Sequence, residues 1–232
     1  MPYRRFPKTD TARLNSLDIL LGNNDVYAAN RRFIDMELIE NAKTLRGRLK
    51  TLSSQFMLAY EAQMRNYKLI AKPQKNVHMY VAHFMKVLGM SVERGEIKRA
   101  ALHDYYGIDD YDETMRLLHN SDDICRLTPQ IVEGEKKRIA AGGRPVYNPT
   151  IGMVATHFDI FRDIYEQQII LNDKAERALG ELKDLRKQLD ALVVEIWNRV
   201  EEHFAELPAE TRYDECRKYG LIYYYRKGEK EQ

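Results

Sequence analysis

The groups in this chain that could do chemistry are six histidines, two cysteines and several clustered carboxylates. A zinc pair on one helix needs histidines three or four residues apart. His78 and His83 are five apart, which turns them about 140° from each other around a helix axis. A di-metal carboxylate bundle needs Glu-x-x-His on two of its helices, and no such string occurs in the sequence. His203-x-x-Glu206 has the reverse order. His83 beside Phe84 reads as a histidine at the edge of a core. His157 falls between Val154 and Phe161 on an apolar stripe. There a buried, hydrogen-bonded imidazole is the plain reading and a pH-sensitive or catalytic group the sharper one. The run Asp109-Asp110-Tyr111-Asp112-Glu113 lacks the glycine and the final glutamate of a calcium loop, and helix capping accounts for its carboxylates. Gly142-Gly143-Arg144-Pro145 has no phosphate-loop spacing. Lys136, Lys137, Arg138 and Arg144 stand near a following helix start, where an anion could sit; a helix stop with a solvated charge run explains them as well. Cys125 and Cys216 have no adjacent histidine or nucleophile-elbow context. For an enzyme or small-ligand binder, the residues that could form a polar site are His83, His157, Asn148 and Arg144. No cofactor or metal is implied.

Tyrosine is abundant, with 15 residues, some clustered as Tyr105-Tyr106 and Tyr223-Tyr224-Tyr225. Basic residues accompany the ends: Arg4, Arg5, Lys8, Lys218, Arg226 and Lys227. Aromatic and basic groups interleaved in this way can bind single-stranded nucleic acid, whereas tyrosines equally serve protein interfaces. With 37 basic and 35 acidic side chains, the total charge argues against a dedicated nucleic-acid binder and leaves room only for a local patch.

The elements that would position these groups are helices. Gly (12) and Pro (7) are few, which favours long helices over a turn-rich sheet fold. A first helix is expected from Thr9 or Asp10 to Leu21, stopped by Gly22. A long helix is expected over about 25–71, ended by Pro73. Its apolar residues, Ile34, Leu38, Ala42, Leu45, Leu49, Leu52 and Phe56, recur every three or four positions, and the seam continues weakly through Gln63 and Asn66. Shorter helices follow over 78–93, 97–106 and 114–119, the last opened by an Asp110/Glu113 capping box. Thr128-Pro129 would open another to Ala141. A second long helix spans about 150–206 on Leu171, Ala175, Ala178, Leu182, Leu185, Leu189, Leu192 and Ile196. Gln168 and Asn172 weaken its seam, which makes Asn172-Asp173 the best place for a break. Pro208 starts a last helix, and the tail Leu221–Tyr225 could form a short ribbon with Arg144–Tyr147. The expected fold is all-α: an elongated antiparallel helical bundle built on the two long helices, forming a single domain over 1–232.

Two isolated cysteines read as reduced thiols, and neither a leader nor a membrane span is apparent, so a cytoplasmic protein is expected. Three segments carry a resemblance: Val81–Leu88 through Glu93-Arg94-Gly95-Glu96, Gly142–Thr150, and Cys216–Gly220 with its tyrosine-rich tail. Together they resemble an uncharacterised family of helical proteins of Bacteroidetes-type bacteria. The resemblance implies a bacterial, cytoplasmic origin and brings no activity, cofactor or site residue. The leading functional expectation is a non-enzymatic scaffold or protein-interaction protein, binding itself or a partner through a helical face. The alternatives are a nucleic-acid-associated protein and the ligand binder or enzyme named above.

Overall fold

The computed structural model describes residues 2–26 and 33–226. In chain order its elements are β1 (Tyr3–Arg4), α1 (Asp10–Val26), α2 (Met36–Glu93), α3 (Ala100–Tyr106), α4 (Tyr111–Leu117), α5 (Ser121–Ala140), α6 (Ile151–His203), α7 (Ala209–Arg217) and β2 (Tyr223–Tyr224). The all-α class follows, with the long helices α2 and α6 packed antiparallel. Among the described residues, no helix is long and apolar enough to cross a membrane.

The long helices differ from expectation in instructive ways. The start expected near Asp25 is corrected: Asp25 and Val26 end α1, residues 27–32 lie outside the described residues, and α2 begins at Met36. Nor does Pro73 end α2, which continues to Glu93 and absorbs the separate helix expected over 78–93. Proline removes one backbone donor and crowds the preceding turn. Ile70 and Val77 on either side of it are 5% and 0% exposed in one core, so packing outweighs that local cost. Helix α6 likewise runs through Asn172 without a break. Helix α5 starts at Ser121, capped by Asn120, whose side chain accepts from the Asp122 amide at 3.2 Å. Thr128 is therefore no cap. It is fully buried, because the apolar spacing Ile124, Leu127, Ile131 begins before Pro129. The Asp110 cap is present, its carboxylate accepting from the Glu113 amide at 2.9 Å.

The chain forms two compact units, Met1–Tyr60 with Lys174–Gln232 and Glu61–Asp173, each with its own core. In the first, Leu17, Leu20 and Leu21 of α1 join Ala42, Leu45 and Leu49 of α2 and Leu182, Leu185, Leu189, Ile196 and Trp197 of α6. Helix α7 adds Cys216, and Tyr219 and Leu221 close the cluster. Gly220 lies at φ +85°, and a Cβ there would sit 2.6 Å from the Ser16 carbonyl, so only glycine lets the chain pass α1 at this point. The expected ribbon exists with a different partner. Tyr223–Tyr224 pairs antiparallel with Tyr3–Arg4, not with Arg144–Tyr147, and the Arg5 amide extends the pairing to the Ile222 carbonyl at 2.7 Å.

Ion pairs fasten this unit at its margins. Arg186 donates to both oxygens of Asp10 at 2.7 and 2.6 Å, and Arg13 grips Asp190 at 2.7 and 2.8 Å. The hydrogen bonds from Arg186 hold the Asp10 carboxyl below its ordinary value, against an opposing push from burial. A lowered carboxylate contributes stability that is complete above its unfolded value, near 4, and is lost as pH falls through the lower folded value. Asp10→Asn should accordingly lose less stability than the parent protein between neutral pH and about pH 3. Urea midpoints across that range check this; parallel curves would contradict it.

In the second unit, Val77, Val81, Phe84, Met85 and Leu88 of α2 meet Ile124 and Ile131 of α5 and Val154, Phe158 and Phe161 of α6. Helix α3 lies so close to α5 that a Cβ on Gly134 would sit 2.5 Å from the Tyr105 carbonyl.

Candidate functional site

The four residues singled out for a polar site are disposed as follows. His83 is exposed, on the solvent side of α2 next to the buried Phe84. His157 is half-buried and stacks on Tyr80 of α2, ring centroids 3.9 Å apart. Arg144 and Asn148 are both exposed in the segment between α5 and α6, with Asn148 at φ +57° before a cis peptide bond to Pro149. His78, whose ring is pushed below its ordinary value by burial, is hydrogen-bonded to the Leu118 backbone. Burial raises the Cys125 thiol to about 11, with Asp122 and Glu166 adding to the effect. It raises Cys216 as well. A thiol so protonated is a poor nucleophile. Among the described residues no group of three or more His, Cys, Asp and Glu is placed to hold a metal ion.

The charge run Lys136-Lys137-Arg138 is split by the helix. Lys136 and Lys137 face outward, while Arg138 turns into the core. There Arg138 donates through Nε to Glu135 Oε2 at 2.8 Å and to the Tyr106 hydroxyl at 2.9 Å, and through Nη2 to Glu135 Oε1 at 2.9 Å. Tyr106 donates to Glu135, and burial, reinforced by that carboxylate, raises its phenol well above the ordinary value. Both ends of the group then reach the loop that follows α5. Arg138 Nη2 donates to the Arg144 carbonyl at 2.6 Å, and the Val146 amide donates to Glu135 Oε1 at 2.8 Å. The Glu135 carboxylate, the Tyr106 phenol and the Nε and Nη2 groups of Arg138 are all bonded within the protein, so the cluster clamps α3, α5 and the glycine loop together.

An open site lies elsewhere in the same unit. The polar interruptions of the two seams meet: Gln63 donates to Asn172 at 2.9 Å, and Asn66 donates to Gln168 at 2.9 Å and to the Ile164 carbonyl at 3.1 Å. Gln168 donates in turn to Asn172 at 2.7 Å. The reversed order of these partners follows from the antiparallel run of α2 and α6. Beside this amide layer opens a cleft of about 540 Å³. Met64, Tyr67, Ile70 and Gln74 line it from α2, Tyr165 from α6, and Ser121 from the start of α5. Gln74 is fixed by a 2.9 Å bond to Ser121. Tyr165 donates to Asp122 at 2.5 Å, and burial together with that bond raises its phenol to about 12. The lining is aliphatic, aromatic and amide. It can hold a ligand by apolar contact, ring stacking and neutral hydrogen bonds. The seam-weakening residues Gln63, Asn66, Gln168 and Asn172 were visible in sequence; Met64, Tyr67, Gln74 and Tyr165 were not singled out. The available signal was that both seams turn polar at positions an antiparallel pairing brings opposite each other.

No protein-family model, curated protein or solved structure matches this chain.

The buried clamp makes a sharp contrast of variants. Glu135→Leu leaves the Arg138 guanidinium buried without its carboxylate and should cost about 3–5 kcal/mol. Tyr106→Phe removes one hydroxyl while the ion pair stays, and should cost about 1–2 kcal/mol. Denaturant unfolding of both gives the comparison, and equal losses would mean that Arg138 and Glu135 do not act as a pair.

Proposed function

We propose that this protein works by binding a partner protein, with the cleft of the second unit receiving an apolar segment of it. The observation that carries the reading is the exposure of large apolar groups around that cleft: Tyr67 is 64% exposed and Met64 37% exposed. Apolar side chains left in water beside a formed cleft mark surfaces that a partner covers. The rigid amide layer at the cleft's edge supplies hydrogen bonds that fix register, while Met64 adapts its shape to what it meets. Neutral lining favours a protein segment over a charged small molecule. The two free thiols, Cys125 and Cys216, suit a reducing compartment, so the reading includes a cytoplasmic place.

A photo-crosslinking aromatic at position 67, compared with one at the exposed Lys86 on the same helix, tests this in cells. The expected result is a discrete adduct at position 67 that disappears when Met64→Asp is added, with none at position 86. An adduct of twice the chain's mass would identify the partner as a second copy. Adducts alike at both positions, or none at position 67, would reject the reading.

A further inference from the structure

Sequence reading placed basic and aromatic residues near both ends of the chain, and the β1–β2 pairing gathers several of them in the first unit. Tyr3 pairs with Tyr224 and Arg4 with Tyr223. Beside the ribbon lies a groove of about 800 Å³, lined among others by Arg5, Phe6, Lys8, Ile222 and Tyr224. Its charge is unbalanced. Arg4 is neutralised by Glu201 at 2.8 and 2.5 Å. Asp10 is held by Arg186 and Asp190 by Arg13. Arg5 and Lys8 are exposed, and neither has a carboxylate partner among the described residues. The groove also carries two exposed rings, Phe6 at 43% and Tyr224 at 42%. Each ring has an aromatic neighbour. Phe6 stacks on the buried Trp197 with centroids 5.0 Å apart, and Tyr224 lies 5.8 Å from Tyr3, which the Arg226 guanidinium covers at 4.2 Å.

Two uncompensated cations beside two exposed rings call for a ligand that offers anionic groups and flat apolar faces alternately. We propose that this groove binds single-stranded nucleic acid, its bases stacking on Tyr224 and Phe6 and its phosphates meeting Arg5 and Lys8. Rings that already pack against a neighbour lose less conformational freedom when a base stacks on their open face. A duplex is disfavoured because its base faces are covered by their neighbours. An acidic peptide would satisfy the cations and leave the rings in water. The near-neutral total charge of the chain accords with a short local contact of a few nucleotides instead of a basic domain wrapped in phosphate. This site is independent of the cleft in the second unit, and purified protein alone tests it.

The probe is a fluorescent single-stranded oligonucleotide of about a dozen nucleotides, read by anisotropy at low salt. Binding should weaken with salt at a slope of roughly −1.4 in log–log form, the value for two phosphates on a single strand. Lys8→Ala should bring that slope to about −0.7, and Arg5→Glu with Lys8→Glu should weaken binding at least about ten-fold. Tyr224→Ala should weaken it by about ten-fold with the slope unchanged. Arg5 and Lys8 make no ion pair among the described residues, so their variants should melt as the parent does. That keeps the test open should Tyr224→Ala disturb the ribbon. Support also requires the single strand to outcompete a duplex and a polyglutamate of equal charge. Competition by polyglutamate as strong as by oligonucleotide, no binding at low salt, or a double variant that binds as well as the parent would each overturn the proposal.

Discussion

A single helix in water is marginal even at favourable composition, because each turn gains little beyond the entropy it loses. Helix α2, with 58 residues and an internal proline, and α6, with 53, hold their lengths because their apolar stripes are shared. Leu45 and Leu49 are buried with Leu182, Leu185 and Leu189 in one core, and Val81 and Phe84 with Val154 and Phe161 in the other. Everything else is attached to that antiparallel seam. Helices α1 and α7 close the first core, α3 to α5 close the second, and the amide layer occupies the stretch where the apolar stripes lapse. Burying a leucine is worth about 2 kcal/mol, so this sum outweighs the local defect at Pro73 and any helix-breaking tendency at Asn172.

That balance explains what was legible in the sequence. The three-and-four spacing from Leu38 to Phe56 and from Leu171 to Ile196 states a helix and a buried face at once, so the long helices and their pairing could be read from residues alone. The boundaries could not. Pro73 is a strong local stop and Thr128-Pro129 a strong local start, and both were overridden by buried neighbours whose contribution depends on tertiary partners. Between Asp25 and Asp35 the sequence carries neither glycine nor proline, so no helix breaker separates α1 from α2 in the sequence. The ribbon was legible in composition and not in pairing: Tyr223 and Tyr224 looked like strand, but strand partners depend on where the helices deliver the two segments.

The sites follow the same division. Arg138 looked like part of an exposed charge run with Lys136 and Lys137, and only burial on its face of α5 turns it, with Glu135 three residues before it, inward to Tyr106. The cleft by the amide layer was half visible, since Gln63, Asn66, Gln168 and Asn172 interrupt apolar stripes. Its rings, Tyr67 and Tyr165, lie on neighbouring helix faces that seam counting ignores. His83, by contrast, drew notice through its residue type and stands in solvent. Polar side chains at apolar positions proved more informative here than reactive side chains at arbitrary ones.

The order of the two units along the chain has a consequence for synthesis. Residues 61–173 are contiguous, whereas the first unit is assembled from residues 1–60 and 174–232. A ribosome delivers the chain from its amino end. The inner unit can thus reach its native contacts while α1 and the front of α2 still wait for Leu182, Leu189 and Trp197. During that interval Leu17, Leu20, Leu45 and Leu49 have no native partners from α6, and the ribbon cannot form until Tyr223 emerges. Helix α1 and the front of α2 are therefore made before the inner unit and sheltered after it, and in the interval their apolar faces are open to chaperones and proteases.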